Sequence, residues 1–224
     1  MNEKTVSFQQ VFDGHLLKLD VLEVELDNGR GSGPRRRARR EIVRHPGAVA
    51  IWARAPDGRF VFVRQFRKAI EQELLEIVAG TLETGETPEA CARRELREET
   101  GYAVKTLTPL GCIFTAPGFC TEQIFIFYAE LAGGGAAAPD PDEHLDVVLL
   151  DESKWKAMIA CGAIQDAKTW AAWGMFINQR ADGGRQTTGS RKRPTSNIER
   201  PTSNEEGALS EERRTRNKEL FAEL

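Results

Sequence analysis

Glu95, Glu98 and Glu99 stand at positions where one face of a helix would bring their carboxylates together. Residues at i, i+3 and i+4 are neighbours on a helix surface. Carboxylates held side by side repel one another unless a cation lies between them. Hard oxygen ligands of this kind suit Mg²⁺ or Mn²⁺, which also bind the phosphate groups of substrates. The spacing therefore predicts a divalent-metal site that can hold a phosphorylated substrate.

The residues around these glutamates carry the start and stop signals of a helix. Thr87 suits the N-cap position, Pro88 suits the first helical position, and Glu89 favours the positive helix start. Gly101 is a natural stop, so the helix is predicted over residues 90–100. The three carboxylates are therefore expected on one capped helix.

A longer pattern surrounds this helix. Residues 80–102 read GTLETGETPEACARRELREETGY, which fits G-x5-E-x7-R-E-U-x-E-E-x-G-U with U apolar. Every defined position is filled, by Gly80, Glu86, Arg94, Glu95, Leu96, Glu98, Glu99, Gly101 and Tyr102. The pattern resembles the Nudix box, the signature of hydrolases that cut a nucleoside diphosphate linked to another group. A charged, solvated helix with pairs such as Arg94–Glu98 is the alternative interpretation, but it does not explain the flanking glycines or Glu86.

The resemblance implies a fold and a set of metal ligands. The fold is α/β (α+β), a Nudix fold in which a mixed β-sheet is sandwiched between helices. The metal is Mg²⁺, with Mn²⁺ as a substitute. Its ligands would be the backbone carbonyl of Ala79 and the carboxylates of Glu95, Glu98 and Glu99. The same resemblance implies catalytic roles for Arg94 and Glu98.

A second segment indicates a subfamily. APGFCTE, residues 116–122, resembles a loop typical of ADP-ribose pyrophosphatases, which carry a proline about fifteen residues beyond the box, here Pro117. The glutamate that follows in that subfamily is the usual residue to deprotonate water, so Glu122 is the candidate base, with Glu143 as the alternative. Pro117 and Gly118 are expected to contact the substrate. Other matching segments, in the same order along the chain, are residues 40–49, 62–67, 74–80 and 161–169.

Phosphate contacts are expected from arginines. The resemblance suggests Arg67 and either Arg37 or Arg40, because the run RRRARR at residues 35–40 offers several registers. A solvated strand edge and a nucleic-acid patch are the alternative interpretations of that run.

Family members stack adenine between aromatic side chains, for which Phe12 and Trp52 are weak candidates, since a core role is favoured for each. His45 and His144 have no partner pattern, so structural or surface roles are favoured over catalysis. Helical positions favour packing roles for Trp155, Trp170 and Trp173.

Three regions follow from the patterning. Residues 1–45 alternate apolar and polar residues around Asp13-Gly14 and Asn28-Gly29, which predicts a small N-terminal antiparallel sheet that serves dimerisation. Residues 46–180 form the predicted Nudix domain, and residues 181–224 a tail, rich in Ser, Thr and Arg, that is predicted to be disordered. Beyond the box helix, strands are predicted at 47–54, 59–66, 74–78, 103–113, 123–131 and 146–150, and helices at 151–161 and 166–179.

Composition narrows the setting. The chain has 224 residues and a net charge of −3, so no global basic field indicates nucleic acid. Its four cysteines lack disulfide or metal spacing, which favours a reduced, cytoplasmic protein. No apolar run approaches the roughly 18 residues of a membrane span.

The predicted reaction is hydrolysis of the pyrophosphate bond of ADP-ribose, a small nucleoside diphosphate sugar, to AMP and ribose 5-phosphate by an Mg²⁺-dependent homodimer. Alternatives within the class are UDP-glucose and GDP-mannose as substrates. A ligand sensor that kept the fold without catalysis is disfavoured by the intact box. RNA binding by the basic strand is a third alternative.

Overall fold

The N-terminal segment forms a small sheet of its own. In the computed structural model, which describes residues 2–27, 36–134, 137 and 144–183, β1 (Asn2–Asp13), β2 (Lys18–Asp27) and β3 (Arg36–Arg44) pair in order and antiparallel. The first hairpin closes where the N–H of Gly14 donates to the carbonyl of Leu17 at 2.9 Å. The predicted second turn at Asn28-Gly29 lies outside the described residues.

A seven-stranded mixed sheet forms the main body. Its strands are β4 (Ala48–Arg54), β5 (Phe60–Arg67), β6 (Gln72–Glu76), β7 (Val78–Thr81), β8 (Tyr102–Phe114), β9 (Gln123–Gly134) and β10 (Leu145–Leu150). The main order is β10-β5-β4-β9-β8, with β6 beside β5 and β7 beside β4. Only the β4–β9 pair among these pairings is parallel. The mixed sheet confirms the predicted fold class.

Helices cover both faces of this sheet. They are α1 (Pro88–Thr100), α2 (Glu152–Cys161) and α3 (Ala167–Gly183). Because successive strand residues point to opposite faces, Ala50 and Trp52 of β4 pack with α2 and α3, whereas Val49 and Ile51 pack with α1. The sheet is therefore the middle layer of a sandwich, and among the described helices only α1 lies on its side of the sheet.

The caps of α1 confirm the predicted signals. The Oγ1 of Thr87 accepts a hydrogen bond from the N–H of Ala90 at 3.3 Å, and Pro88 is the first helical residue. Gly101 ends the helix with φ at +71°, a conformation that favours glycine.

Most predicted boundaries differ from the structure by three residues or fewer, and two differences change the organisation of the chain. The single strand expected at 74–78 is split at Ile77, because the chain leaves β5 for β4 there and the N–H of Ile77 donates to the Oγ1 of Thr169 at 3.1 Å. Helix α3 continues to Gly183, beyond the expected start of the tail at 181. Residues 184–224, and with them the prediction of disorder, lie outside the described part. No helix of the described residues is long and apolar enough to cross a membrane.

Candidate active site

One cavity of about 1130 Å³ is lined by several of the candidate residues. The box contributes Gly80, Arg94, Glu95 and Glu98, and the loop after β8 contributes Glu122. The cavity is also lined by cations from four different elements, namely Lys18 of β2, Arg44 of β3, Arg67 of β5 and Lys168 of α3. Acidic and basic groups therefore face one space, as the binding of a metal ion together with a phosphorylated ligand requires.

Arg94 organises the carboxylates of the box. Its guanidinium lies 3.0 Å from each oxygen of Glu86, 2.8 Å from Oε1 of Glu95 and 3.0 Å from Oε2 of Glu98. It also donates to the carbonyl of Thr81 at 3.2 Å. The hydrogen bond from Arg94 is the main reason that the pKa of Glu86 falls to about 2. One cation thus joins two acids of α1 to a third acid in the loop before the helix.

Gly80 is required by the close approach of Glu95. A Cβ added at Gly80 would lie 1.8 Å from the carboxyl carbon of Glu95, which is far inside van der Waals contact. The side chain of Glu95 is 10% exposed, so it has little room to retreat. The first glycine of the box therefore leaves space for a carboxylate of the box helix.

The acidic donors suit a hard divalent cation. Ala79, Glu95 and Glu98 line the cavity, whereas Glu99 is buried at 5% exposure on the same helix. Within the described ranges, no three acidic, histidine or cysteine side chains already form a metal cage. Mg²⁺ is commonly held by one or two carboxylates together with substrate phosphates, so this donor set fits such an ion.

Glu122 lies on a loop that is tied to the end of β3. The N–H of Val43 donates to the carbonyl of Phe119 at 2.7 Å, and the N–H of Thr121 donates to the carbonyl of Val43 at 2.9 Å. One oxygen of Glu122 accepts from the Oγ1 of Thr115 at 2.7 Å. The predicted base is thereby held at the cavity. Pro117 and Gly118 lie on the exposed turn of this loop and do not line the cavity, so their substrate contacts stay a prediction.

Arg67 reaches the cavity from a buried charge cluster. Its Nε and Nη2 donate to the two oxygens of Glu76, each at 2.7 Å, and Lys168 donates to the same carboxylate. Lys168 also contacts Asp166 at 2.9 Å. Burial raises the pKa of Glu76, but the hydrogen bonds and charges of Arg67 and Lys168 outweigh burial and leave that pKa lowered.

Sequence reasoning had no specific signal for two members of this cluster. Glu76 and Lys168 were present only inside matching segments, and they are 92 residues apart in the chain. Their relationship follows from the side-chain contact that joins Lys168, at the start of α3, to Glu76, at the end of β6, and not from spacing.

The described arginines of the run, in residues 36–40, do not line the cavity of their own chain. Arg40 makes a two-point contact with Glu3, at 2.6 and 3.0 Å, and Arg37 lies 3.9 Å from Glu25. Arg44, four residues further along β3, does line the cavity, and its Nε donates to Asp20 at 2.7 Å. Phosphate contacts by Arg37 or Arg40 therefore stay a prediction that requires a second chain.

The aromatic and histidine expectations had mixed outcomes. Trp52 is 1% exposed and its ring meets that of Trp155 edge-on at 5.1 Å, so it belongs to the core and offers no face to adenine. Phe12 is exposed on β1. His45, expected in a structural or surface role, lines the cavity beside Glu122, whereas His144 is exposed. The alternative base Glu143 lies outside the described residues.

Several known proteins are similar to this chain in sequence. The NUDIX domain family model matches residues 43–169. The chain is 41% identical over 171 residues to the ADP-ribose pyrophosphatase of Bacillus subtilis, covering 75% of this chain and 89% of that protein. It is 42% identical over 169 residues to the methanol dehydrogenase activator of Bacillus methanolicus, covering 75% and 88%. It is 36% identical over 160 residues to the GDP-mannose pyrophosphatase of Citrobacter koseri, covering 65% and 81%.

A solved structure extends the comparison to three dimensions. The crystal structure of an ADP compounds hydrolase superposes with a TM-score of 0.67 over 83% of this chain and 97% of that chain. At 21% identity, this likeness concerns the fold alone. Nudix hydrolases generally need a divalent metal ion, which the acidic wall of the cavity fits. The matched domain spans more than half of the chain, and the curated relatives are covered over most of their length, so the chain belongs to the Nudix hydrolase family.

Proposed function

We propose that the chain hydrolyses the pyrophosphate bond of ADP-ribose to AMP and ribose 5-phosphate with Mg²⁺. The observation that carries the proposal is the cavity that the box carboxylates Glu95 and Glu98 line together with Arg67 and Lys168. Its substrate is supported by the 41% identity to an ADP-ribose pyrophosphatase across 89% of that protein. A diphosphate bound in the cavity would contact the acidic residues through the metal ion and the cationic residues directly.

The acidic and the cationic residues of the cavity have separate tasks in this reaction. Glu95, Glu98, Glu99 and the carbonyl of Ala79 would hold Mg²⁺, which when bound neutralises phosphate charge and makes water more acidic. Arg94 keeps Glu95 and Glu98 in place from the side.

Glu122 is the proposed base. It accepts a proton from a water molecule, the water oxygen forms a bond to one phosphorus, and the bridging oxygen leaves with its electron pair. One of the two products, AMP and ribose 5-phosphate, thereby carries the oxygen of the water, and the other carries the former bridging oxygen. Arg67 and Arg44, which both line the cavity, would hold the phosphate that is not attacked, since guanidinium groups match phosphate oxygens in a two-point contact. Glu143 is the alternative base.

The proposal includes a homodimer that uses the N-terminal sheet. Val6, Phe8, Val11 and Phe12 expose large apolar side chains along β1. A three-stranded sheet that exposes several large apolar side chains needs a covering surface. In a two-fold dimer, Arg37 or Arg40 could reach the phosphate site of the neighbouring chain, which they do not do within one chain. No nucleic-acid partner is proposed, and the four free thiols support a reducing, cytoplasmic setting.

A second substrate class is favoured by one specific observation, the 36% identity to a GDP-mannose pyrophosphatase. A panel of ADP-ribose, GDP-mannose and UDP-glucose, each with Mg²⁺ and an EDTA control, separates the two. We expect the highest kcat/KM for ADP-ribose. A higher kcat/KM for GDP-mannose or UDP-glucose would overturn the substrate while keeping the family.

A further inference from the structure

His45 occupies a defined place between the two sheets. It lies in the connection between β3 and β4, and its side chain is 9% exposed. The backbone N–H of Gly47 donates to its Nδ1 at 3.0 Å. Since Nδ1 accepts a hydrogen bond, the neutral ring carries its proton on Nε2. Gly47 supplies this donor at φ of +103°, a backbone conformation that favours glycine.

The protonated nitrogen of the ring faces Glu122. Nε2 of His45 lies 3.6 Å from Oε1 of Glu122, while Oε2 of the same carboxylate accepts from Thr115 at 2.7 Å. A separation of 3.6 Å is longer than a direct hydrogen bond, and such contacts in active sites often tighten when substrate binds. The two oxygens of Glu122 are thus flanked by a hydroxyl donor and an imidazole donor.

The same loop also holds the backbone of His45. The N–H of His45 donates to the Oγ1 of Thr121 at 3.0 Å, one residue before Glu122. Together with the bonds between Val43 and residues 119–121, this contact makes the β3–β4 connection and the loop one unit. These contacts therefore fix the position of the imidazole relative to the carboxylate.

We propose that His45 is a positioning residue for Glu122, whose Nε2–H orients the carboxylate toward the attacking water. The proposal rests on the proposed function, in which Glu122 accepts the proton of that water. A neutral N–H donor suits this task because it can hold the carboxylate before the transfer and the carbonyl oxygen of the carboxylic acid after it. His45 also lines the cavity, so direct contact with the substrate is the competing role that the test must separate.

A double-mutant cycle with Glu122→Gln separates these roles. We expect His45→Phe, which keeps the ring volume and loses the donor, to lower kcat about 10- to 100-fold with little change in KM, the range typical of residues that orient a functional group. In the Glu122→Gln background, where no base is left to orient, the same change should lower kcat by less than about twofold. His45→Gln, whose amide can place an N–H near the position of Nε2, should recover part of the loss.

The matched control is His144→Phe, at an exposed histidine outside the cavity, which should leave kcat and KM unchanged. Melting temperatures of all variants exclude loss of folding as the cause. An independent readout is ¹⁵N NMR of the His45 ring, where we expect the Nε2-protonated tautomer and a changed Nε2 shift in Glu122→Gln.

Three results would overturn the proposal. They are equal losses from His45→Phe in both backgrounds, a rise in KM without a fall in kcat, and an Nδ1-protonated ring. Wild-type activity of Glu122→Gln would also overturn it, while leaving ADP-ribose hydrolysis intact. Failure of the wild-type chain to hydrolyse ADP-ribose would be a failure of the proposed function, and the NMR result would still decide the His45–Glu122 contact.

Discussion

Arg67 and Glu76 form a two-point ion pair in which both nitrogen–oxygen distances are 2.7 Å, and the two partners differ sharply in exposure. The side chain of Glu76 is 1% exposed, whereas that of Arg67 is 40% exposed and lines the cavity. The buried carboxylate thus fixes a guanidinium that still has surface available for a ligand. Lys168, at the start of α3, also donates to the carboxylate of Glu76, so this carboxylate links the helix to the sheet.

Replacing Glu76 by Gln should destabilise the fold. The change leaves the positive charges of Arg67 and Lys168 close together without the carboxylate that neutralises them. Breaking a buried ion pair typically lowers the free energy of unfolding by about 3 kcal/mol. The substrate KM should rise as Arg67 loses its orientation. Urea unfolding at about pH 7 measures the free energy of unfolding, and Glu73→Gln, an exposed glutamate on the same strand, is the matched control. Equal stability of the Glu76 variant and wild type would show that the pair contributes nothing.

The Glu76 effect should depend on pH. The folded-state pKa of Glu76 is below the ordinary 4.5, so its contribution to stability is complete above the unfolded-state pKa and is lost as the pH falls through the folded-state pKa. We therefore expect the difference in unfolding free energy between wild type and Glu76→Gln to shrink below about pH 4.5. A difference that is constant between about pH 7 and about pH 3 would contradict the assigned charge state.

Gly80→Ala should displace the Glu95 carboxylate. The new Cβ would overlap a side chain held by Arg94, so we expect a loss of activity of at least about tenfold, the lower range for disturbing a metal site. Gly174→Ala is the control, since nothing lies within 4 Å of its Cβ position and a helical Gly→Ala change usually stabilises by about 0.5–1 kcal/mol. Wild-type kcat in Gly80→Ala would show that Glu95 can move without consequence.

Glu99→Gln keeps the side-chain shape and removes one negative charge. If Glu99 is a metal ligand, activity should fall at least about 100-fold while stability without metal holds or rises, because repulsion among the box carboxylates decreases. Glu89→Gln, exposed in the first turn of the same helix, should stay active. Near wild-type turnover by Glu99→Gln at saturating Mg²⁺ would remove Glu99 from the metal site.

Assembly can be tested by mixing two inactive chains. In a dimer with shared sites, Glu99→Gln and Arg40→Ala chains form heterodimers with one intact site, so about a quarter of wild-type activity should return. Deleting residues 1–44 should abolish both the dimer, measured by sedimentation, and high substrate affinity. A fully active monomer would leave Arg40 with its partner Glu3 as a solvated pair on the sheet.

Short sequence signals were sufficient to predict those elements whose determining residues are close together in the chain. The spacing of Glu95 and Glu98, with Thr87 and Gly101 at the two ends, was sufficient for α1 and for its acidic face. The sheet followed from apolar runs. The break in the strand at Ile77 was not predicted, because there the N–H of Ile77 donates to Thr169, a residue of α3 that lies 92 positions later in the chain.

The other missed features have the same physical origin. His45 has no partner at any helical or strand spacing, since Glu122 reaches it only through pairing between the end of β3 and a distant loop. Arg44 could not be chosen over Arg37 or Arg40 from the run alone. The choice depends on the β1–β2 hairpin, which places Lys18 and Asp20 beside the end of β3.

The most direct test of the central claim is product analysis after incubating the full-length chain with ADP-ribose and Mg²⁺. We expect AMP and ribose 5-phosphate in equal amounts, no products with EDTA, and a much lower rate for Glu95→Gln. Absence of AMP from ADP-ribose, or an equal rate with EDTA, would contradict the account.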